Sequence, residues 1–164
     1  MKLNIILGWI LFVLSSLLYT LNQNLQFLVF ANFASQIIFV LLCFAGITLG
    51  IALVVFDEAF KQASIGFVSI IITTLLLTAI LLVYDSFTHF TYESYEYFVL
   101  LQIGSDLSLS TDEVALMLVN VAPSLGILLW MFVSRQDLKK FHWIALFDLI
   151  MLIEAVTMTA IINI

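Results

Sequence analysis

Long apolar stretches separated by short polar segments dominate this chain of 164 residues. A transmembrane helix needs about 20 consecutive, mostly apolar residues. Because a backbone inside lipid must satisfy its own hydrogen bonds, each such stretch is predicted to be a helix. We therefore predict an all-α fold, with residues 1–164 forming a single integral membrane domain. It is a polytopic transmembrane helix bundle of five spans, at about residues 3–21, 37–56, 63–84, 114–134 and 141–164.

The polar segments differ in charge, and that difference predicts an orientation. The long segment 85–113 contains six acidic residues and no Lys or Arg. All the basic residues lie at the N-terminus or in the segments 57–62 and 135–140. Since Lys and Arg are retained on the cytoplasmic side during insertion, we predict a cytoplasmic N-terminus, an outer loop at 85–113 and a C-terminus outside. The basic residues are Lys2, Lys61, Arg135, Lys139 and Lys140.

The composition agrees with a lipid environment. Hydrophobic residues make up 64% of the chain and charged residues 10%, with a mean hydropathy of +1.23, whereas a soluble domain carries roughly 25% charged residues. The net charge of −6 and the lack of a basic patch argue against a nucleic-acid partner. Cys43 is the single cysteine, so an intrachain disulfide and a C-x-x-C motif are excluded, and a buried thiol is expected.

Two carboxyl groups fall inside the last predicted span. Glu154 lies near its middle, where an acidic residue commonly marks a proton or ion route or a contact with another subunit. A neutral Glu hydrogen-bonded between helices is the structural alternative. Asp148 lies nearer the cytoplasmic end, where Arg135, Lys139 or Lys140 can reach along the membrane surface, and a salt bridge is predicted. A role in proton or ion movement or in an intersubunit contact is the alternative for Asp148, as for Glu154. Six residues apart, the two acids are separated by about 120° around the helix and should not form a close pair.

The fourth predicted span contains Asn120, Pro123 and Ser124. Proline frees a backbone carbonyl and bends a helix, and neighbouring polar side chains can satisfy the freed group. Such helix breaks line cavities in transporters, although they also occur in helices that only pack. We predict a helix break at this position, lining a possible cavity.

The second predicted span contains Gly46 and Gly50 in a G-x-x-x-G spacing. Two glycines on one helix face allow another helix to approach closely. The spacing predicts helix packing, with a helix of the same chain or of another chain as equal alternatives.

The predicted outer loop contains a candidate metal site. Asp85, His89, Glu93 and Glu96 would share one stripe if this segment were helical, and a histidine with carboxylates can bind a divalent metal. A solvated acidic loop is the alternative. The aromatic residues of the same segment predict either a membrane-interface surface or a docking surface for a partner; they are Tyr92, Tyr95, Tyr97 and Phe98.

No cofactor is indicated by the sequence. His89 and His142 are predicted on opposite sides of about 30 Å of hydrocarbon, so one chain cannot ligate a haem with both. Phosphate-binding loops, the nucleophile elbow and the H-E-x-x-H motif are absent from the sequence. We therefore expect a chain that is not catalytic on its own.

Two functions fit this pattern. The first is a small integral subunit of a larger membrane complex, energy-transducing or ion-translocating. The alternative is a small self-assembling transporter or channel coupled to protons or cations. The expected partners are the lipid bilayer and other membrane subunits or copies of the chain. The expected location is a bacterial or archaeal plasma membrane or an organelle inner membrane.

Overall fold

The computed structural model describes residues 2–25, 33–94, 111–134 and 138–162. Within these ranges the backbone is helical except for a short turn at residues 56–58, and it contains no strand. The all-α prediction is therefore confirmed. The helices are α1 (Lys2–Leu25), α2 (Phe33–Val55), α3 (Ala59–Ser94), α4 (Thr111–Ser134) and α5 (Leu138–Ile162).

Four to five of these helices are long and apolar enough to cross a membrane. In α4 the side chains are described only from Asn120 on, and they give a shorter apolar stretch, Asn120–Ser134. That α4 crosses the membrane therefore stays a prediction. The other four helices each contain an apolar segment of at least 20 residues. Those segments are Leu3–Gln23, Ala34–Val55, Ala59–Tyr84 and Lys139–Met158.

The helices extend beyond the predicted spans. α2 begins at Phe33 rather than at residue 37, and α3 continues to Ser94. The first part of the predicted outer loop, residues 85–94, is therefore helical. The physical reason is that hydropathy marks where the membrane ends and not where the helix ends. Residues 85–94 contain neither Gly nor Pro, the residues that most often stop a helix.

Glycine contacts hold α1 and α2 together as an antiparallel pair. Gly8 faces Gly50, and Ser15 faces Gly46. A Cβ atom on Gly50 would lie 2.7 Å from the backbone nitrogen of Phe12 and 2.8 Å from the carbonyl oxygen of Gly8. The two backbones can approach this closely only because no side chain stands between them.

The pair formed by α3 and α4 uses the same principle. A Cβ atom on Gly66 would lie 2.5 Å from the Trp130 ring, and one on Gly126 would lie 2.5 Å from the Cα atom of Ile70. Trp130 is fully buried, and its ring also stacks on Phe56 at a centroid distance of 5.7 Å. Trp130 therefore joins α3 and α4 to the end of α2.

Aromatic side chains join the N-terminal halves of α1 and α5. Trp9 stacks on Phe147 at 4.4 Å between ring centroids, and Phe12 meets the same ring edge-on at 4.6 Å. At this end, Lys140 lies over the Phe56 ring, 5.6 Å from its centroid. The first half of α1, the α2–α3 turn and the start of α5 therefore lie at one end of the bundle, together with the described lysines of α3 and α5.

The outer surface of the bundle is apolar. Large hydrophobic side chains are exposed on every described helix, and on α3 they continue from Leu75 to Tyr84. An apolar surface of this extent is typical of a protein that contacts lipid or other membrane helices. The chain is therefore consistent with a multi-pass membrane protein.

Candidate functional site in the helix bundle

Glu154 connects α5 to α1. The Ser16 hydroxyl oxygen lies 3.2 Å from Glu154 Oε1, within hydrogen-bond distance. Ser16 is fully buried, and Glu154 is partly buried. The second carboxyl oxygen, Oε2, is buried and has no hydrogen-bond partner among the described residues. The mid-helix carboxyl group predicted from the sequence thus lies against a buried hydroxyl, and no described basic residue pairs with it.

Ser16 belongs to a short polar row on α1. Its hydroxyl also lies 3.2 Å from the carbonyl oxygen of Val13, and the Thr20 hydroxyl donates to the carbonyl of Ser16 at 2.9 Å. Thr20 is fully buried as well. Serine and threonine can use such bonds to their own backbone to satisfy a hydroxyl inside an apolar helix. The sequence signal for this row is the pair of hydroxyl residues four positions apart within an apolar stretch.

Asp148 connects α5 to α4. Its side chain is only 5% exposed, and the Ser124 hydroxyl, itself buried, lies beside its carboxyl group. Asp148 Oδ1 and Ser124 Oγ both lack a partner with full hydrogen-bond geometry among the described atoms. A buried carboxyl group and a buried hydroxyl therefore face each other across the α4–α5 contact.

The salt bridge predicted for Asp148 is not formed with either lysine. Lys140 instead lies 4.0 Å from Asp57, and among the described residues no basic group pairs with Asp148. The physical reason is that the two side chains point in different directions. Asp148 points between the helices, whereas Lys140 packs over the α2–α3 turn. Arg135, the remaining predicted partner, lies outside the described residues.

The three polar or helix-bending residues of α4 face the bundle interior. Asn120, Pro123 and Ser124 are all buried. The backbone of α4 is helical on both sides of Pro123, and the helix break with a cavity beside it stays a prediction. The role of Ser124 that the sequence did not reveal is its position beside Asp148, which depends on how α4 packs on α5.

Gly46 and Gly50 both face α1 of the same chain. This is one of the two alternatives that the sequence left open. Because α1 fills this face, the glycine pair does not offer it to a helix of another chain.

The candidate metal residues fall at the edge of the described structure. Asp85, His89 and Glu93 lie on the helical backbone of α3, but their side chains are outside the described part, as is the whole of Glu96. A shared stripe requires a helical backbone, and the backbone is helical at the first three of these residues. The metal site itself stays a prediction.

Comparison of the chain with protein-family models, curated proteins and solved structures finds no match. The functional argument therefore rests on the two carboxyl groups of α5 and their surroundings.

Proposed function

We propose that the chain is a small integral subunit of a larger membrane complex and that it contributes protonatable carboxyl groups to ion translocation or energy transduction. The observation that carries this proposal is the position of Glu154 and Asp148. Each lies on α5 inside the helix bundle, each lies against a hydroxyl of another helix, and neither pairs with a described basic residue.

The energetic cost of burying these groups supports a role for them. An acidic side chain within a transmembrane segment is expensive, and those that occur commonly serve proton or ion movement. Packing alone would be satisfied by an apolar side chain of similar size, as it is at neighbouring positions of α5 such as Met151. Packing alone therefore does not explain why two acidic residues occur on this helix, each next to a hydroxyl.

The subunit role is supported by the surface and by the sequence. Exposed apolar side chains cover the described helices and offer large areas to lipid and to other membrane helices. The sequence contains no motif for catalysis or for binding a nucleotide. The proposal includes five spans, a cytoplasmic N-terminus and an outer C-terminus, in a bacterial or archaeal plasma membrane or an organelle inner membrane.

A second function is favoured by one specific observation. Both carboxyl groups belong to α5 and contact α1 and α4 of the same chain. A single chain therefore contains both groups without a contribution from a partner. This arrangement would also serve a self-assembling transporter or channel for protons or cations.

Purification separates the two functions. The tagged chain, expressed at its native level, is extracted in a mild detergent and isolated without dissociating its contacts. Other membrane proteins recovered in fixed stoichiometry would support the subunit, whereas a homo-oligomer alone would support the transporter.

Proton movement is then measured in proteoliposomes that contain the isolated complex or oligomer and a pH-sensitive dye. Glu154→Gln and Asp148→Asn should each reduce proton flux or coupled activity without changing assembly. Glu58→Gln is the matched control, because Glu58 is an exposed acid in the α2–α3 turn. Full activity in both α5 variants would refute the proposed role of the carboxyl groups.

A further inference from the structure

We propose that Glu154 binds a proton at Oε1 and that Ser16 is the group that holds it in place. In the protonated state Glu154 donates to the Ser16 hydroxyl, and that hydroxyl donates to the carbonyl of Val13. This inference deepens the proposed function, since it names the atoms at which the proton resides.

The first argument is a count of hydrogen atoms. A serine hydroxyl has one proton to donate. Two acceptor oxygens lie 3.2 Å from Ser16 Oγ, namely the Val13 carbonyl and Glu154 Oε1. Ser16 can donate to only one of them at a time. If a proton resides on Glu154, both contacts become hydrogen bonds in a single chain of donors that runs from Glu154 through Ser16 to Val13.

The second argument is the state of the other carboxyl oxygen. Glu154 Oε2 is buried and has no donor within reach among the described residues. In an ionised carboxylate this oxygen would carry negative charge without a hydrogen bond, which is strongly unfavourable in a low-dielectric interior. In a neutral carboxyl group it is an ordinary carbonyl oxygen, and the penalty is much smaller.

The third argument is the lack of a countercharge. α5 packs on α1, α2 and α4. In the described side chains of those three helices the titratable groups are Tyr19 and Cys43, neither of which is a cation. On α5 itself the other acidic residue is Asp148. The described basic groups of α5 are confined to its first turns: Lys139, Lys140 and His142.

Distance separates these basic groups from the site. His142, the nearest of them along the chain, precedes Glu154 by 12 residues, which corresponds to about 18 Å along a helix. No described cation therefore compensates an ionised Glu154.

The arrangement also allows exchange of the proton. When the proton leaves Glu154 for water or another acceptor, the Ser16 hydroxyl can rotate from the Val13 carbonyl to Oε1 and donate to the new carboxylate. The bond from Thr20 to the Ser16 carbonyl does not involve that hydroxyl, so the backbone of α1 keeps its contact. Within this contact, uptake and release of the proton thus require the rotation of one hydroxyl.

Infrared spectroscopy of the full chain in proteoliposomes tests this directly. A protonated carboxyl group has a C=O stretching band that is separate from the carboxylate bands and shifts in D2O. Near neutral pH we expect such a band in the native chain, its loss in Glu154→Gln, and its retention in Asp148→Asn. In Ser16→Ala the band should remain but change frequency.

Ser15→Ala is the matched control, because Ser15 is the adjacent buried serine but faces Gly46 on α2. Its band should stay where it is in the native chain. The inference is overturned if Glu154→Gln removes carboxylate bands instead, or if Ser16→Ala and Ser15→Ala give the same spectrum. Should Glu154→Gln not fold, the two serine variants still decide the outcome.

The experiment is independent of the proposed function. A protonated Glu154 together with normal proton flux in both Glu154→Gln and Asp148→Asn would uphold the inference and refute the function. Lost proton flux together with an ionised Glu154 would uphold the function and refute the inference.

Discussion

Replacement of Gly50 by alanine tests the α1–α2 contact most sharply. The new Cβ atom would lie 2.7 Å from the Phe12 nitrogen, 2.8 Å from the Gly8 oxygen and 2.9 Å from the Phe12 Cα atom. Ordinary van der Waals contacts begin at 3.4 Å. All three obstructing atoms belong to the backbone of α1, so no side chain can rotate away, and the two helices must separate by about 0.7 Å to bring the closest contact from 2.7 to 3.4 Å.

The expected cost follows from this separation. Adding a methyl group to a well-packed contact typically costs about 1–3 kcal/mol, and the better helix propensity of alanine offsets up to about 1 kcal/mol of it. We expect a net loss of about 1–2 kcal/mol, which corresponds to a roughly 5- to 30-fold rise in the population with separated helices.

Cys43 provides the assay without any added probe. It is the single cysteine of the chain and is buried on α2, two turns before Gly50. When helix opening is fast relative to labelling, the labelling rate follows the population of the open form. A thiol-reactive dye should therefore label Cys43 about 5- to 30-fold faster in Gly50→Ala than in the native chain, in the same detergent.

Ala45→Leu is the control, since it adds more bulk to α2 at an exposed position. Its labelling rate should equal that of the native chain. Equal rates in Gly50→Ala and Ala45→Leu would show that α1 does not pack on α2 at Gly50. Loss of a larger assembly with an unchanged Cys43 rate would instead place the contact between chains.

Three further outcomes are expected. In a chain with Cys43 replaced by alanine, Ser105→Cys should react with an impermeant thiol reagent from outside and Gln136→Cys should not; the opposite result would invert the orientation. Gly126→Ala should lower the melting temperature, because its Cβ atom would lie 2.5 Å from the Cα atom of Ile70, a backbone atom that cannot rotate away; an unchanged melting temperature would argue against the α3–α4 contact. Asp57→Asn should leave the melting temperature unchanged, since its 4.0 Å contact with a lysine is at the surface and exposed ion pairs contribute little; a clear decrease would show that the α2–α3 turn depends on that pair.

The sequence alone determined the helical class and the position of the apolar segments. A lipid environment permits few structures, and about 20 apolar residues in a row have little alternative to a helix. The sequence also marked Glu154 and Asp148, since a carboxyl group stands out in an apolar stretch. It could not give the helix ends, because α3 passes from apolar to polar residues without a residue that stops a helix.

The tertiary structure decided which side chains meet. Ser16 and Glu154 are 138 positions apart, and the sequence around either residue does not indicate that the other is its partner. The G-x-x-x-G spacing predicted a close approach, but only the packing showed that α1 is the partner. Asp148 was expected to reach a basic residue at the membrane surface; the packing of α4 placed Ser124 beside it, and neither Lys139 nor Lys140 pairs with it.

The physical reason lies in the solvent. In a soluble protein an apolar stripe on a helix points to the core, so periodicity predicts which faces meet. Lipid is as apolar as the core, and the helices of a membrane bundle are apolar on nearly all sides. Small residues and isolated polar groups then select the contacts, and their partners are fixed only when all the helices are packed together.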